Sequence, residues 1–134
     1  MTEPFYWPVR VYYEDTDAQG IVYYANYLRF MERARTEWLR ALGLEQDELR
    51  EQRDLIFVVV STFTEYHTPA AFNDELEVGV VLKKAGGASF VMEQNIYRRD
   101  ASRTLICSGE TRAAALTAST RKPARLPTEL LSQR

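Results

Sequence analysis

The sequence predicts an α+β domain in which one long helix packs on a face of a five-stranded antiparallel sheet. Two patterns carry that expectation. Apolar residues recur at helical spacing in one extended stretch, Tyr24 to Leu42, while the stretches around it alternate as half-buried strands do. Runs of strands beside a single segregated helix fit α+β better than repeated βαβ units. The 134 residues suit one domain with its own core, and neither an internal repeat nor a low-complexity segment divides them.

The chain opens with MTEPFYWPVR, which has an acid near its start, two prolines and no long apolar run. Neither a signal peptide nor a membrane span is expected there. Val9, Val11 and Tyr13 then alternate with Arg10, Tyr12 and Glu14 as a first strand would, and an acidic loop with Asp15, Asp17 and Gly20 follows. In the helix, Tyr27, Met31, Ala34, Trp38 and Leu42 form the apolar stripe, widened by Leu28, Phe30 and Ala41. Arg29, Glu32, Arg33, Glu37 and Arg40 mark a solvated face, and Gly43 is placed to cap the C-terminus.

The polar run EQDELREQRD leads into LIFVVVSTFTEYH, a β-prone segment that Pro69 stops. Leu76, Val78, Val80 and Leu82 alternate with Glu75, Glu77 and Gly79 until KAGGA turns the chain. Phe90, Met92 and Ile96 alternate with Glu93 and Asn95 up to a second turn at RRDAS, and TLICSGETRAAAL supplies the last strand. These four strands are expected to form a meander. The tail TASTRKPARLPTELLSQR reads as irregular, with a short terminal helical turn.

A formal net charge of -2 gives no global pull toward nucleic acid or an acidic membrane surface. The single cysteine, Cys107, rules out an intrachain disulfide framework, and reads as a buried apolar residue of a cytoplasmic protein. No GxSxG, P-loop, GxGxxG, HExxH or CxxC motif is present. His67, the only histidine, sits beside Thr68 and Pro69 at a strand end with no marked nucleophile, and reads as structural.

The run DTDAQG looks at first like a calcium loop. With Asp15 at position 1, Asp17, Gln19 and Gly20 fall at positions 3, 5 and 6, but position 12 is Asn26 in place of the bidentate Glu. The strand entering the loop also disagrees with an EF-hand, so no metal is expected. Glu14, Asp15 and Asp17 instead stand just before a helix. A helix N-terminus presents free backbone N–H groups that can hold an oxyanion forming on a carbonyl, and a nearby carboxylate can attack that carbonyl or take a proton from water. The alternative is that these acids only cap the helix.

The run EDTDAQGIVYYANYLRFMERARTEWLRALG resembles the hotdog-fold acyl-CoA thioesterases, in particular the 4-hydroxybenzoyl-CoA and Tol-Pal-associated thioesterase groups. Their pattern here is D-x-D-x-x-G-[IV]-[VI]-[YW]-[HY]-x-x-Y. The resemblance continues through FVVVSTFTEYHTPAAFNDELEV and KPARLPTEL and so covers most of the chain. It implies a curved sheet wrapped around the long helix, subunits joined edge to edge as a homodimer or homotetramer, and an acyl-CoA substrate cleaved without a cofactor. It also implies that Asp17 is the catalytic acid, as nucleophile or general base, and that the backbone N–H of Tyr24 polarises the thioester carbonyl.

Two positions depart from the pattern. Tyr24 stands where the Tol-Pal-associated enzymes carry histidine, which keeps the backbone donor and removes an imidazole. Asn73 precedes Asp74 where relatives often have Gly, and Asn tolerates the left-handed conformation of such a turn. Arg121, Lys122 and Arg125 form a basic group suited to the phosphates of CoA, or a solvated tail. A hotdog dehydratase, which would need a catalytic histidine, and a non-catalytic hotdog dimer that binds acyl thioesters are the competing readings.

Overall fold

The computed structural model describes residues 3–134, so the first two residues of the opening run lie outside it. Strand β1 (Phe5–Arg10) precedes helices α1 (Asn26–Ala41) and α2 (Gln46–Arg53). Strands β2 (Leu55–Tyr66), β3 (Glu75–Gly86), β4 (Ser89–Glu93), β5 (Ile96–Arg98) and β6 (Leu105–Thr117) follow, and the short helix α3 (Thr128–Leu131) closes the chain. All strands pair antiparallel in one six-stranded sheet of order β1-β3-β4-β6-β2, with β5 between β3 and β6. The sheet curls around α1 in the hotdog arrangement.

Helix α1 buries Tyr27, Phe30, Met31, Ala34, Trp38 and Leu39 against the sheet, which follows the centre of the expected apolar stripe, whereas Leu28 and Ala41 are exposed, Leu42 is half-buried and Leu39 joins the buried face. At Gly109 of β6 the helix comes so close that an added Cβ would lie 2.7 Å from the Met31 methyl and 3.2 Å from the Gln94 carbonyl oxygen, so a larger residue there would require the Met31 side chain to move. The C-terminus ends as the sequence predicts. Gly43, at φ 85°, donates to the Arg40 carbonyl at 2.9 Å and Leu44 donates to Leu39 at 2.8 Å, a Schellman motif in which Leu39 and Leu44 are both buried.

Several expectations change. The first strand spans Phe5–Arg10 and not the alternation up to Glu14, because Tyr13–Asp15 form a 3-10 turn. Pro8, which cannot donate to a ladder, is tolerated because β1 is an edge strand paired only with β3. The run EQDELREQRD is helical, held by buried Leu49 and ended by Asp54 at φ 51°. The expected five strands are six, since the chain breaks at Gln94 and Asn95 between β4 and β5.

The meander is also only partial. Strand β2 crosses over to pair with β6 along its whole length, from Leu55 opposite Thr117 to Tyr66 opposite Cys107, and forms the other edge of the sheet. Its register steps over Val60, which puts Thr62, Thr64 and Tyr66 on the helix side with Leu55, Phe57 and Val59. Val60 and Phe63 remain exposed at this edge.

Candidate functional site

The acidic loop is built from the backbone outward. Asp17 N–H donates to the Ile21 carbonyl at 2.8 Å, and Gly20 N–H returns to the Asp17 carbonyl at 3.1 Å with Gly20 at φ 81°. A bridge between Thr16 and Val22 closes the base of this loop. The two aspartates then differ in what their oxygens do. Buried Asp15 accepts the Tyr12 N–H on Oδ2 at 2.8 Å, while its carbonyl accepts the Tyr23 N–H and the Asn26 side-chain amide, each at 2.9 Å. Asp17 is half-buried, and only its Oδ1 is engaged, by the Gln19 N–H at 2.8 Å. Asp15 holds the loop; Asp17 keeps a free carboxylate oxygen among the described residues.

Helix α1 begins at Asn26, two residues later than the sequence predicts, so Tyr24 lies in the turn that enters it. Asn26 N–H donates back to Tyr23 at 2.8 Å, whereas the N–H of Tyr24 donates to no acceptor among the described residues. Among the described residues no side chain caps the helix N-terminus. An unpaired N–H at the positive end of a helix dipole is the donor a developing oxyanion needs. The exposed Tyr24 ring meets Tyr66 edge-on at 6.0 Å, and Tyr66 in turn lies 5.7 Å from Tyr27. The end of β2 therefore stands beside the helix N-terminus. Buried Tyr27 fixes the far side of the loop, its hydroxyl accepting the Ala70 N–H at 3.1 Å while the Ala70 carbonyl accepts Val22 N–H at 2.8 Å. Burial raises the Tyr27 phenol above its ordinary value and keeps it protonated.

The sequence of the thioesterase-like superfamily matches residues 11–133. The chain belongs to that superfamily. The acyl-CoA thioesterase YbgC of Haemophilus influenzae is 42% identical over 94% of this chain and 90% of its own length. The acyl-CoA thioester hydrolase YbgC of Escherichia coli O157:H7 is 41% identical over 98% and 96%. Among solved structures, a probable thioesterase from Bartonella henselae superposes with a TM-score of 0.86 at 32% identity, covering 93% of this chain and all of that one.

Within this thioesterase-like frame the structure separates the other residues singled out in the sequence. Arg121, Lys122 and Arg125 are exposed and take part in no ion pair among the described residues. Arg121 N–H donates to the Thr117 carbonyl at 2.8 Å, which fixes the group at the Leu55–Thr117 end of the β2–β6 ladder. Tyr66, and with it Tyr24, stands at the opposite end of that ladder, roughly 35 Å along the strand at about 3.3 Å per residue. One chain does not bring the basic group to Asp17. His67 Nε2 lies 2.8 Å from the Ser108 hydroxyl, and Asn73 adopts φ 72°, as its turn requires. Cys107 is buried and its thiol is pushed up to about 12, so it stays a thiol.

Two residues were not legible as a site in the sequence. Gln94 is fully buried between α1 and the sheet, donating from Nε2 to the Met31 carbonyl at 2.8 Å and accepting from Arg35 Nη1 at 3.1 Å on Oε1. Arg35 lines a cavity of about 490 Å³ whose other walls include Leu39, Phe57, Val59, Phe90 and Met92.

Proposed function

We propose that this protein hydrolyses acyl-CoA thioesters with Asp17 as the catalytic carboxylate. The observation that carries the reading is the pairing of a carboxylate oxygen left free at Asp17 with an undonated N–H at Tyr24, in one loop stitched together by Asp15, Asn26 and Tyr27. The names of the YbgC relatives support the substrate class. In the general-base route, Asp17 takes a proton from water as the oxygen adds to the thioester carbonyl, and the Tyr24 N–H holds the oxyanion. Collapse breaks the C–S bond, and the departing CoA thiolate takes a proton. In the nucleophilic route Asp17 itself attacks, and water then hydrolyses the mixed anhydride. Both yield CoA and a carboxylic acid, and neither uses His67.

The active unit in this reading is a homodimer, or a tetramer of two dimers, joined through β2. An edge strand of 12 residues that exposes Val60 and Phe63 is a template for pairing with a second copy. Antiparallel pairing of two β2 edges about a two-fold axis sets the Leu55 end of one strand beside the Tyr66 end of the other. The partner's Arg121, Lys122 and Arg125 then approach Asp17, where they would meet the phosphates of CoA. The cytoplasm is the proposed location. Among the described residues no helix is long and apolar enough to cross a membrane.

The deciding experiment is release of free thiol from a panel of short, aromatic and long-chain acyl-CoAs by purified protein. Turnover of at least one substrate supports hydrolysis; tight binding without turnover of any favours the non-catalytic dimer.

A further inference from the structure

We propose that Arg35 is a specificity residue which selects acyl groups carrying a hydrogen-bond-accepting oxygen, a carboxylate or a hydroxyl, at their distal end. The inference rests on the thioesterase reading above and names the substrate class of that site.

Arg35 lies on the border of the buried face of α1, between Ala34 and the apolar wall of the cavity, and is half-buried. A guanidinium withdrawn from water is normally matched by a carboxylate, yet Arg35 forms no ion pair among the described residues. Among the described residues its one acceptor is Gln94 Oε1 at 3.1 Å, and that bond leaves four of its five N–H donors open to them. Glu32, one turn earlier and also on the cavity wall, is exposed and accepts the Thr36 hydroxyl at 2.6 Å. Burial lowers the Arg35 pKa, and the charge of Glu32 opposes that only in part.

The amide of Gln94 cannot turn. Its Nε2 is held by the Met31 carbonyl at 2.8 Å, so Oε1 faces Arg35, and the fully buried side chain fixes the guanidinium at the wall of a cavity that is apolar on its sheet side, at Phe57, Phe90 and Met92, and also holds Glu32, Thr36 and Gln46. The cavity and the site lie along one face of β2. Phe57 and Val59 line the cavity, and Thr62, Thr64 and Tyr66 carry the same face of β2 onward to Tyr24. From Asn26 to Arg35 the helix rises roughly 14 Å, and helical side chains lean toward the N-terminus, which shortens the gap. A medium-length acyl chain with its carbonyl at Tyr24 reaches Arg35 with its far end. A terminal methyl placed there would seal the open donors away from water unpaired; an oxygen would satisfy them.

The test compares octanoyl-CoA with ω-hydroxyoctanoyl-CoA and suberyl-CoA, which share a chain length and differ at the far end. The wild-type protein is expected to favour both oxygen-bearing chains over octanoyl-CoA in kcat/KM by about tenfold or more, equivalent to about 1.4 kcal/mol. Arg35→Met is expected to bring that ratio to about one, and Arg35→Lys, which keeps charge but not the fork, to an intermediate value. Equal or better use of octanoyl-CoA by the wild type overturns the proposal, as does a ratio that survives in a folded Arg35→Met protein. If no acyl-CoA is hydrolysed the catalytic reading fails on its own, and the dissociation constants of the same three compounds, measured by calorimetry, decide the role of Arg35 by the same ratio.

Discussion

The hydroxyl of Tyr27 on α1 accepts the backbone N–H of Ala70 at 3.1 Å, and through the Ala70 carbonyl it holds Val22 and the acidic loop against the helix. Tyr27→Phe removes the acceptor and leaves a buried N–H unpaired, since Ala70 is fully buried. A loss of about 1–3 kcal/mol of stability in urea unfolding is expected. Because the same bond positions Asp17, kcat should fall more than KM rises. A variant with wild-type stability and turnover would show that the loop is held without Tyr27.

The thiol of Cys107 should be silent in the folded protein. Desolvation among core residues pushes it up to about 12 and leaves no accessible thiolate at pH 8. A disulfide reagent is expected to titrate no protein thiol under native conditions and one per chain in denaturant. Rapid modification of the native protein would contradict the burial; silence makes the CoA-release assay free of a protein background.

The cross-subunit arrangement makes a prediction that no single-chain site can meet. Replacing Arg121, Lys122 and Arg125 with Ala should raise KM for acyl-CoA, and Asp17→Asn should remove most turnover. In mixed dimers of the two variant chains, one site regains Asp17 from one subunit and the basic group from the other. Activity at low substrate should therefore reappear on mixing after dissociation and reassociation. If mixing restores nothing while both variants dimerise, the basic group does not act across β2. Phe63→Lys at that edge should shift the protein toward monomer in sedimentation, because it places a charge in the strand pairing.

What the sequence carried, and what it hid, follows from how local each signal is. The α1 stripe and the Gly43 cap depend on neighbours within a turn or two, and both were legible. Helix α2 was not, because Leu49 is its one buried residue and a single apolar side chain makes no period. The pairing of β2 with β6 joins residues far apart in the chain, Leu55 with Thr117 at one end, and no residue type announces a partner strand, so the meander was overextended. Asp17 was singled out by its motif, whereas the different duties of Asp15 and Asp17 appear only in their hydrogen bonds. Arg35 was hidden by its position between Ala34 and Thr36, where spacing alone does not separate a solvated arginine from one turned into a cavity.

The sharpest test of the catalytic proposal is Asp17→Asn set beside changes at Asp15. Asparagine at position 17 keeps an oxygen to accept the Gln19 N–H, so the turn should survive and unfolding should change little. It can neither attack a carbonyl as a carboxylate nor take a proton from water. Loss of a catalytic group of this kind lowers kcat by roughly 10²–10⁴. Asp15→Asn keeps an acceptor for the Tyr12 N–H and should lose far less turnover, while Asp15→Ala strips that acceptor and should lower stability by about 1 kcal/mol, the usual loss for such a cap. The pattern separates the roles: turnover lost without stability at Asp17, stability lost ahead of turnover at Asp15. An Asp17→Asn protein that folds, dimerises and still hydrolyses its best acyl-CoA at near wild-type rate would remove Asp17 from the chemistry and leave the Tyr24 N–H to act with another source of activated water.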